Sequence, residues 1–327
     1  MEEFHPALID MFCHVLPPKY KEALFEILPQ GNFFRDNISN MPQFWDMEQR
    51  LKLMDIEGYA QVLSLMSPPI ETIADPKKAV ELAKLANDGM AELVGKYPSK
   101  FVAAIATLPM NNIEATLREV DRCINDLGFK GILLYTPSDN KPLDSPEFIP
   151  LYEKMANYNL PIWIHPQRDE SYPYYEGESY VKFRENVSFG WPFETTLGMN
   201  RLVYSGVLAR YPDLKFIVHH GGAMVPFFAS RIPATQDRPG GQSVYGTLSK
   251  PPIEYFKMFY ADIASIRTTA AFNLVYQFFG IDHIVYGTDF PFGNINTSIS
   301  VIEQSGIDRT EQAKIFESNC KMLLRLP

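Results

Sequence analysis

Short apolar segments that recur along the whole chain constrain its fold most strongly. They are almost continuously apolar rather than alternating, which is typical of parallel strands buried on both faces. Stretches with helical periodicity separate them. The predicted strands are Ala7–Phe12, Tyr59–Leu65, Phe101–Thr107, Gly131–Tyr135, Pro161–Ile164, Lys215–His219, Met258–Ile263 and His283–Thr288.

Alternation of eight such strands with helices predicts a (β/α)8 barrel of the TIM type. A doubly wound sheet is the alternative, but it seldom needs eight parallel strands, and no glycine-rich phosphate loop follows the first strand. No repeat or linker marks a boundary, so we expect residues 1–327 to form a single domain. The predicted helices are Asp46–Ile56, Pro76–Tyr97, Asn112–Leu127, Pro146–Tyr158, Glu194–Tyr211, Ala270–Phe279 and Thr310–Leu324, the last with Asp308 or Thr310 as its N-cap.

Two connections look like insertions. They are Pro17–Trp45, after the first strand, and Pro166–Pro192, after the fifth, and both are rich in Tyr, Phe, Arg and Pro. Loops that follow barrel strands form the catalytic face. We therefore expect these two insertions to cover the substrate.

Composition narrows the class of protein. A formal net charge of −9 argues against a nucleic-acid partner, which would require a basic face. No run of about 18 apolar residues is present to span a membrane, and the N-terminus lacks the basic-then-apolar layout of a secretory signal. Cys13, Cys123 and Cys320 are scattered, which is typical of reduced thiols. We expect a soluble, cytoplasmic protein with no nucleic-acid or membrane partner.

Polar residues stand at the C-terminal ends of four predicted strands. His14 follows the first, His165 the fifth, His219 and His220 the sixth, and Asp289 the eighth. These strand ends meet at one rim of a barrel, so the cluster predicts a metal or acid/base site. Adjacent strand residues point to opposite faces, so one of the two neighbouring histidines is expected to be structural.

Imidazole and carboxylate groups are the usual ligands of Zn²⁺, and they also suit Mn²⁺ or Fe²⁺. A catalytic centre keeps three protein ligands and one open position. His14, His165 and Asp289 meet that count and leave His220 for acid/base chemistry. His283 begins its strand and is expected at the opposite rim in a structural role.

Motifs that follow one another in a fixed order cover nearly the whole chain. They are Ile9-Asp10, His14-Val15-Leu16-Pro17, Arg50-Leu51-Lys52-Leu53-Met54-Asp55 with Gly58, Gly128-Phe129-Lys130-Gly131, His165-Pro166, Pro192-Phe193-Glu194-Thr195-Thr196, Gly206-Val207-Leu208 with Tyr211-Pro212, His220-Gly221-Gly222 with Pro226, and Tyr286-Gly287-Thr288-Asp289-Phe290-Pro291-Phe292. Their order and placement resemble the amidohydrolase superfamily, and within it the branch of aminocarboxymuconate-semialdehyde decarboxylase and γ-resorcylate decarboxylase.

The resemblance implies a barrel with one metal bound by the first-strand motif, His165 and Asp289, and His220 as the acid/base residue beside it. It implies decarboxylation of an aromatic or unsaturated acid, hydroxybenzoate-like or muconate-like, with Asp289 and His220 handling protons. It also implies a homodimer. Arg35 is similar in position to an arginine that binds a substrate carboxylate, and a surface role is the alternative. Two-metal relatives carry a bridging Lys or Glu at the end of strand four, which this chain lacks.

Aromatic residues near the predicted rim are of the kind that packs on a planar acid. They are Phe12, Trp191, Phe290 and Phe292, and ordinary packing is the alternative for each. Of these, we predict that Trp191 and Phe290 contact the substrate.

One residue departs from the family pattern. The first strand of the family usually reads Asp-x-His-x-His, but Phe12 occupies the earlier ligand position here and only His14 remains. We expect a weakened three-ligand site for one divalent ion, Zn²⁺ with Mn²⁺ as the alternative. Other outcomes are a metal-free barrel that binds a ligand or partner, or a mononuclear hydrolase or hydratase of a related acid or lactone.

Overall fold

Eight short parallel strands carry the fold. The computed structural model describes residues 8–234 and 248–327. The strands are β1 (Leu8–Val15), β2 (Tyr59–Leu65), β3 (Phe101–Ala104), β4 (Ile132–Thr136), β5 (Ile162–Pro166), β6 (Phe216–Val218), β7 (Tyr260–Asp262) and β8 (Ile284–Val285).

These strands close into a barrel. Within the described residues they form two parallel sheets, β1-β2-β3 and β4-β5-β6-β7-β8. Beyond the end of β3, Leu133 N donates to Ala106 O at 2.9 Å and connects the two sheets on one side. Met11 N donates to Tyr286 O at 2.9 Å and connects them on the other. The predicted (β/α)8 barrel is therefore confirmed.

Helices surround the strands and begin and end at residues with the expected chemistry. Asp46 accepts from Gln49 N at the start of one helix, which ends at Gly58 in the left-handed conformation. Asp308 forms a capping box with Glu311, as one of the two predicted N-caps. The α-helices are Pro18–Ile27, Phe33–Asn40, Met47–Glu57, Ile70–Ile73, Pro76–Lys96, Ile113–Asn125, Ile149–Tyr158, Trp191–Tyr204, Val207–Arg210, Val225–Phe228, Arg231–Ala234, Pro252–Phe256, Thr269–Phe279, Ile295–Glu303, Arg309–Ala313 and Asn319–Leu324.

Several predicted boundaries are wrong; β3, for example, ends at Ala104 and β8 at Val285, earlier than predicted. β1 continues beyond Phe12 to Val15, because His14 and Val15 remain paired with β2. The predicted helix Glu194–Tyr211 is interrupted, because Gly206 adopts a φ of 82° and begins a separate short helix. The correction to β1 matters for function, since it places His14 within a strand.

The lower half of the barrel is filled with apolar side chains. Met11, Val62 and Ile217 share one buried cluster with Trp163, which donates from Nε1 to Met11 O at 3.1 Å. Leu323 of the last helix belongs to the same cluster. His165 and Asp289 lie toward the other end, where the strands terminate. None of the helices in the described ranges is long and apolar enough to cross a membrane.

Glu71 is an acidic side chain buried beside the barrel, in the short helix that follows β2. Its Oε1 accepts from Asp139 N at 3.5 Å, and burial raises its pKa to about 7. An acid whose pKa is higher in the folded state destabilises that state above the folded pKa, and this cost disappears below the unfolded pKa near 4.5.

We predict that Glu71→Gln raises the free energy of unfolding by about 2 kcal/mol at pH 8 and by almost nothing near pH 4.5. Urea unfolding at several pH values measures this difference. Glu153→Gln, at an exposed helix position, is the matched control and should show no such pH dependence. A difference for Glu71→Gln that stays constant from pH 4.5 to 8 would contradict the prediction.

Candidate metal centre and active site

Three imidazoles and one carboxylate from different strands meet at the C-terminal end of the barrel. His14 Nε2 lies 3.0 Å from Asp289 Oδ1, and His219 Nε2 lies 3.4 Å from the same oxygen. The ligand atoms of His14, His165 and Asp289 all lie within 4.8 Å of one another, and the same is true of His219, His220 and Asp289. Asp289 thus belongs to both groups.

The backbone around Asp289 is held by the first strand. Asp289 has a φ of 65°, a left-handed conformation, and its N donates to Phe12 O at 3.1 Å. Asp10 accepts from Thr288 N at 2.9 Å and from Thr288 Oγ1 at 2.5 Å. Burial raises the pKa of Asp10 to about 6, against the opposing effect of these bonds. Asp10 therefore positions the segment that carries Asp289.

His14, His165 and His219, the three central histidines, use their outer ring nitrogen in the same way. Each Nδ1 contacts a polar group outside the cluster, so that Nε2 faces inward. Histidines that bind metals are commonly oriented by such outer contacts. The outer partners are Ser64 Oγ for His14 at 3.3 Å, Pro166 O for His165 at 2.6 Å and Asp262 Oδ2 for His219 at 2.5 Å.

Three of the inward-facing atoms make no hydrogen bond to any residue in the described ranges. His14 Nε2, His219 Nε2 and Asp289 Oδ1 are buried, and none has a partner in hydrogen-bond geometry among the residues that the structure describes. Buried polar atoms are rarely left without partners. Imidazole nitrogens and a carboxylate oxygen are the donor set that divalent transition metals bind, so these residues fit a metal ion.

The charges of the cluster favour a cation. Burial alone would raise the pKa of Asp289, but the charge of His219 and contacts with His14 and His219 lower it below its ordinary value. Burial would lower the pKa of His219, but Asp262 and Asp289 together raise it to about 10. The carboxylates of Asp262 and Asp289 therefore stabilise a positive charge in the cluster, which either a proton or a metal ion can carry.

Phe12 fills the position of the expected first ligand. Its side chain is fully buried, and its ring stacks on His219 at 4.1 Å between centroids with an interplanar angle of 23°. The ring centroid also lies 5.3 Å from that of His14 and 5.7 Å from that of His165. An apolar ring thus packs among the three central imidazoles.

A cavity of about 690 Å³ opens above the cluster. His14, His165, His220 and Asp289 line it, as do Arg184 and Arg267 and aromatic side chains that include Phe34, Trp191 and Phe292. The insertion after β5 provides more of the lining than the insertion after β1, which provides only Phe34 among the lining residues.

Burial, with the charge of His219 next in importance, lowers the pKa of His220 to about 3. His220 is therefore a neutral imidazole at the cavity surface.

Two predicted substrate-binding residues lie away from this lining. Arg35 donates from Nη1 to Phe25 O at 2.8 Å and to Leu28 O at 2.6 Å, and so satisfies carbonyls at the end of the Pro18–Ile27 helix. Phe290 is buried, with the Arg50 guanidinium 4.7 Å from its ring centroid. The structure brings Trp191 to the cavity but neither of these two.

The remaining histidine of the described chain is remote from the cluster. His283 stacks on Tyr260 at 4.3 Å, and its Nδ1 contacts Phe259 O at 3.0 Å. The sequence predicted that one of His219 and His220 is structural, but His219 is fully buried and its Nε2 lies 3.4 Å from Asp289 Oδ1 in the cluster. The available signal was Asp262, a carboxylate at the end of β7 that orients it.

A (β/α)8 barrel with imidazoles and a carboxylate at its strand ends defines the class of metal-dependent barrel enzymes. The sequence profile of the family described as amidohydrolase matches residues 9–326. The chain therefore belongs to the amidohydrolase family, and the resemblance inferred from its motifs is confirmed.

Individual relatives are decarboxylases. γ-Resorcylate decarboxylase of Polaromonas sp. (strain JS666) is 32% identical over 292 residues, with 85% of this chain and 87% of that protein covered. 2-Amino-3-carboxymuconate-6-semialdehyde decarboxylase of Dictyostelium discoideum is 29% identical over 307 residues, with 87% and 81% covered. The crystal structure of dihydroxybenzoic acid decarboxylase from Polaromonas sp. JS666, with bound manganese and the inhibitor 2-nitroresorcinol, superimposes with a TM-score of 0.80 at 26% identity and covers 98% of each chain.

Proposed function

We propose that this protein is a metal-dependent decarboxylase of an aromatic or unsaturated carboxylic acid, either hydroxybenzoate-like or muconate-like. The observation that carries the proposal is a buried cluster of imidazoles and a carboxylate at the floor of an aromatic-walled cavity, with inward-facing atoms that have no hydrogen-bond partner among the described residues. The decarboxylase relatives support the reaction class.

His14, His165 and Asp289 would hold one divalent metal ion. We propose Zn²⁺, because nitrogen ligands predominate in the cluster, with Mn²⁺ as the alternative that the Polaromonas structure contains. When bound, the ion would supply Lewis-acid polarisation of the carboxylate and of an adjacent oxygen substituent.

The protein's own groups would orient the acid and deliver a proton. In the net reaction the bond between the ring or chain carbon and the carboxylate breaks, its electron pair forms a new C–H bond with the delivered proton, and CO₂ leaves. Asp289 and His220 are the groups proposed to hold and move that proton. His220 lines the cavity, which would place its imidazole beside a bound acid.

Trp191 and Phe292 would form the walls against which a planar acid packs. The indole Nε1 of Trp191 donates to Arg168 O at 3.4 Å, which holds the ring in one orientation. Both residues line the cavity, and they would exclude water from the carbon that receives the proton.

Phe12 is the observation that favours a second candidate function. With an apolar ring at a ligand position, the barrel could bind an acid without metal and without turnover. Metal content after purification without added metal, by elemental analysis, separates the two candidates. About one equivalent per chain supports the enzyme, and none supports the binding protein.

The reaction itself is tested by CO₂ release from a panel of hydroxybenzoates and muconate-like acids. Decarboxylation of at least one acid, abolished by a chelator and restored by metal, is the expected result. The proposal would be contradicted if the metal-loaded protein released no CO₂ from any acid but hydrolysed lactones or hydrated unsaturated acids. That result would favour the hydrolase or hydratase alternative.

We predict that His220→Asn retains metal but lowers turnover by about 10²-fold or more, the usual scale for a positioned acid/base group. Steady-state kinetics and elemental analysis on the same preparations measure both effects. His283→Asn, which replaces an imidazole remote from the cavity, is the control and should keep its turnover. If His220→Asn turns over at the unaltered rate, the proton-transfer role is wrong.

We also propose that the protein is a cytoplasmic homodimer. Tyr175, Phe183 and Phe189 of the insertion after β5 are 66%, 90% and 68% exposed, and a concentration of exposed aromatic groups is typical of a surface that binds another protein. All three cysteines are free thiols, which supports a reducing compartment. Light scattering coupled to size-exclusion chromatography would measure the mass, and a monomer at micromolar concentration would contradict the homodimer.

A further inference from the structure

We propose that His219 is a protein ligand of the metal and replaces the first-strand ligand that is lost at Phe12. This inference rests on the proposed function, because it requires the metal site to exist. It adds a fourth protein ligand to His14, His165 and Asp289 and leaves His220 free for proton transfer.

The first argument is position. His219 is fully buried, and its Nε2 lies 3.4 Å from Asp289 Oδ1, the same oxygen that lies 3.0 Å from His14 Nε2. All three atoms lack hydrogen-bond partners within the described ranges. An ion bound by Asp289 and His14 would therefore have the His219 nitrogen beside it.

The second argument concerns the tautomer and the orientation of the His219 imidazole. His219 Nδ1 donates to Asp262 Oδ2 at 2.5 Å, while Asp262 Oδ1 accepts from His220 N at 2.9 Å and from Ala264 N at 3.1 Å. The carboxylate is thus fixed and places the proton on Nδ1. A metal ion would displace the second proton of this imidazole from Nε2, and the Nε2 lone pair would then bind the ion, as in the carboxylate–histidine–metal arrangement of established sites.

The third argument is the role of Phe12. A phenyl ring has no lone pair to donate, and this ring stacks on His219 at 4.1 Å. Phe12 therefore packs against the imidazole and restricts its rotation rather than competing for the ion. His220 differs, because its side chain lines the cavity, where substrate would be bound.

The test measures metal binding directly in the full-length protein. Dissociation constants for Co²⁺ and Zn²⁺ are obtained by competition with a chromophoric chelator, and the visible spectrum of the cobalt-loaded protein reports the ligand set. The variants are His219→Ala, Phe12→His, the double variant Phe12→His/His219→Ala, and the control His220→Ala.

We expect His219→Ala to weaken binding by about 10²-fold or more and to change the cobalt spectrum, since a direct ligand should matter at least as much as an outer contact. The double variant should recover most of the affinity, because a histidine at position 12 lies two residues from His14 on the same strand face. His220→Ala should bind within about threefold of the unaltered protein.

An unchanged dissociation constant and an unchanged cobalt spectrum for His219→Ala would overturn the inference while leaving the metal site intact. A double variant no tighter than His219→Ala would also overturn it. If the unaltered protein binds no metal, the proposed function fails at its metal site and this inference fails with it.

Asp262→Asn keeps the inference testable if His219→Ala does not fold. It preserves the imidazole but removes the carboxylate that orients it, and we expect it to weaken metal binding by about 10- to 100-fold. Unchanged affinity of a folded Asp262→Asn protein would overturn the inference.

Discussion

We expect His165→Ala and Asp289→Ala each to lose the bound metal and to lower turnover by about 10³-fold or more, whereas His283→Ala should retain both. The first two side chains offer ligand atoms within 4.8 Å of each other and of His14. Loss of metal polarisation costs several kcal/mol of transition-state stabilisation, and each 1.36 kcal/mol is about a tenfold change in rate. Elemental analysis and CO₂ release on the same preparations measure the two effects.

His283→Ala is a matched control because it removes an imidazole of the same size and chemistry from another place in the barrel, where it stacks on Tyr260. It corrects for any general effect of histidine loss on folding or yield. Equal metal content in all three variants would show that the cluster of His14, His165 and Asp289 does not bind the ion.

The strands and their order could be predicted from the sequence because burial on both faces leaves a local signature. Tyr59–Leu65 is mostly apolar and is a strand with those bounds. Where the end of a strand or helix depends on contacts with residues elsewhere in the chain, the sequence pattern did not predict it correctly. The extension of β1 to Val15 depends on pairing with Ser64 and Leu65 of β2, which are distant in sequence. The expectation that residues 1–327 form one domain remains a prediction.

The approximate location of the site could be predicted in the same way, because strand ends meet at one rim. The orientation of each side chain could not. His219 faces the cluster because Asp262, 43 residues later in the chain, holds its Nδ1. Arg35 faces away from the cavity because two carbonyls at a neighbouring helix end accept hydrogen bonds from its guanidinium. Both outcomes depend on tertiary contacts that residue type and spacing do not encode.

Arg50→Met is expected to lower the free energy of unfolding by about 3–4 kcal/mol. Arg50 is fully buried, and it donates from Nη1 to His14 O at 2.6 Å and from Nε to Gln61 Oε1 at 2.8 Å. Hydrogen bonds from a charged group contribute about 1.5–3 kcal/mol each. Removal of the charge relieves its desolvation, but it leaves two buried acceptors without donors, so the net change is destabilising.

The same substitution should weaken metal binding, because Arg50 contacts both flanks of the site. Its guanidinium bonds to the backbone of His14 and lies 4.7 Å from the ring centroid of Phe290, the residue after Asp289. Arg50→Lys keeps the charge but loses the planar fork of donors, so it should be destabilised as well, by about 2 kcal/mol.

Arg201→Met is the control for loss of an arginine from the surface. Arg201 pairs with Asp144 at 2.7 Å and is half exposed, so its loss should cost less than about 1 kcal/mol. Urea unfolding gives the three free energies, and the chelator competition used for the cobalt-loaded protein gives the affinities. If Arg50→Met is as stable as Arg201→Met, the bonds to His14 and Gln61 contribute nothing net. If it is destabilised while its metal affinity is unchanged, Arg50 supports the barrel but does not position the ligands.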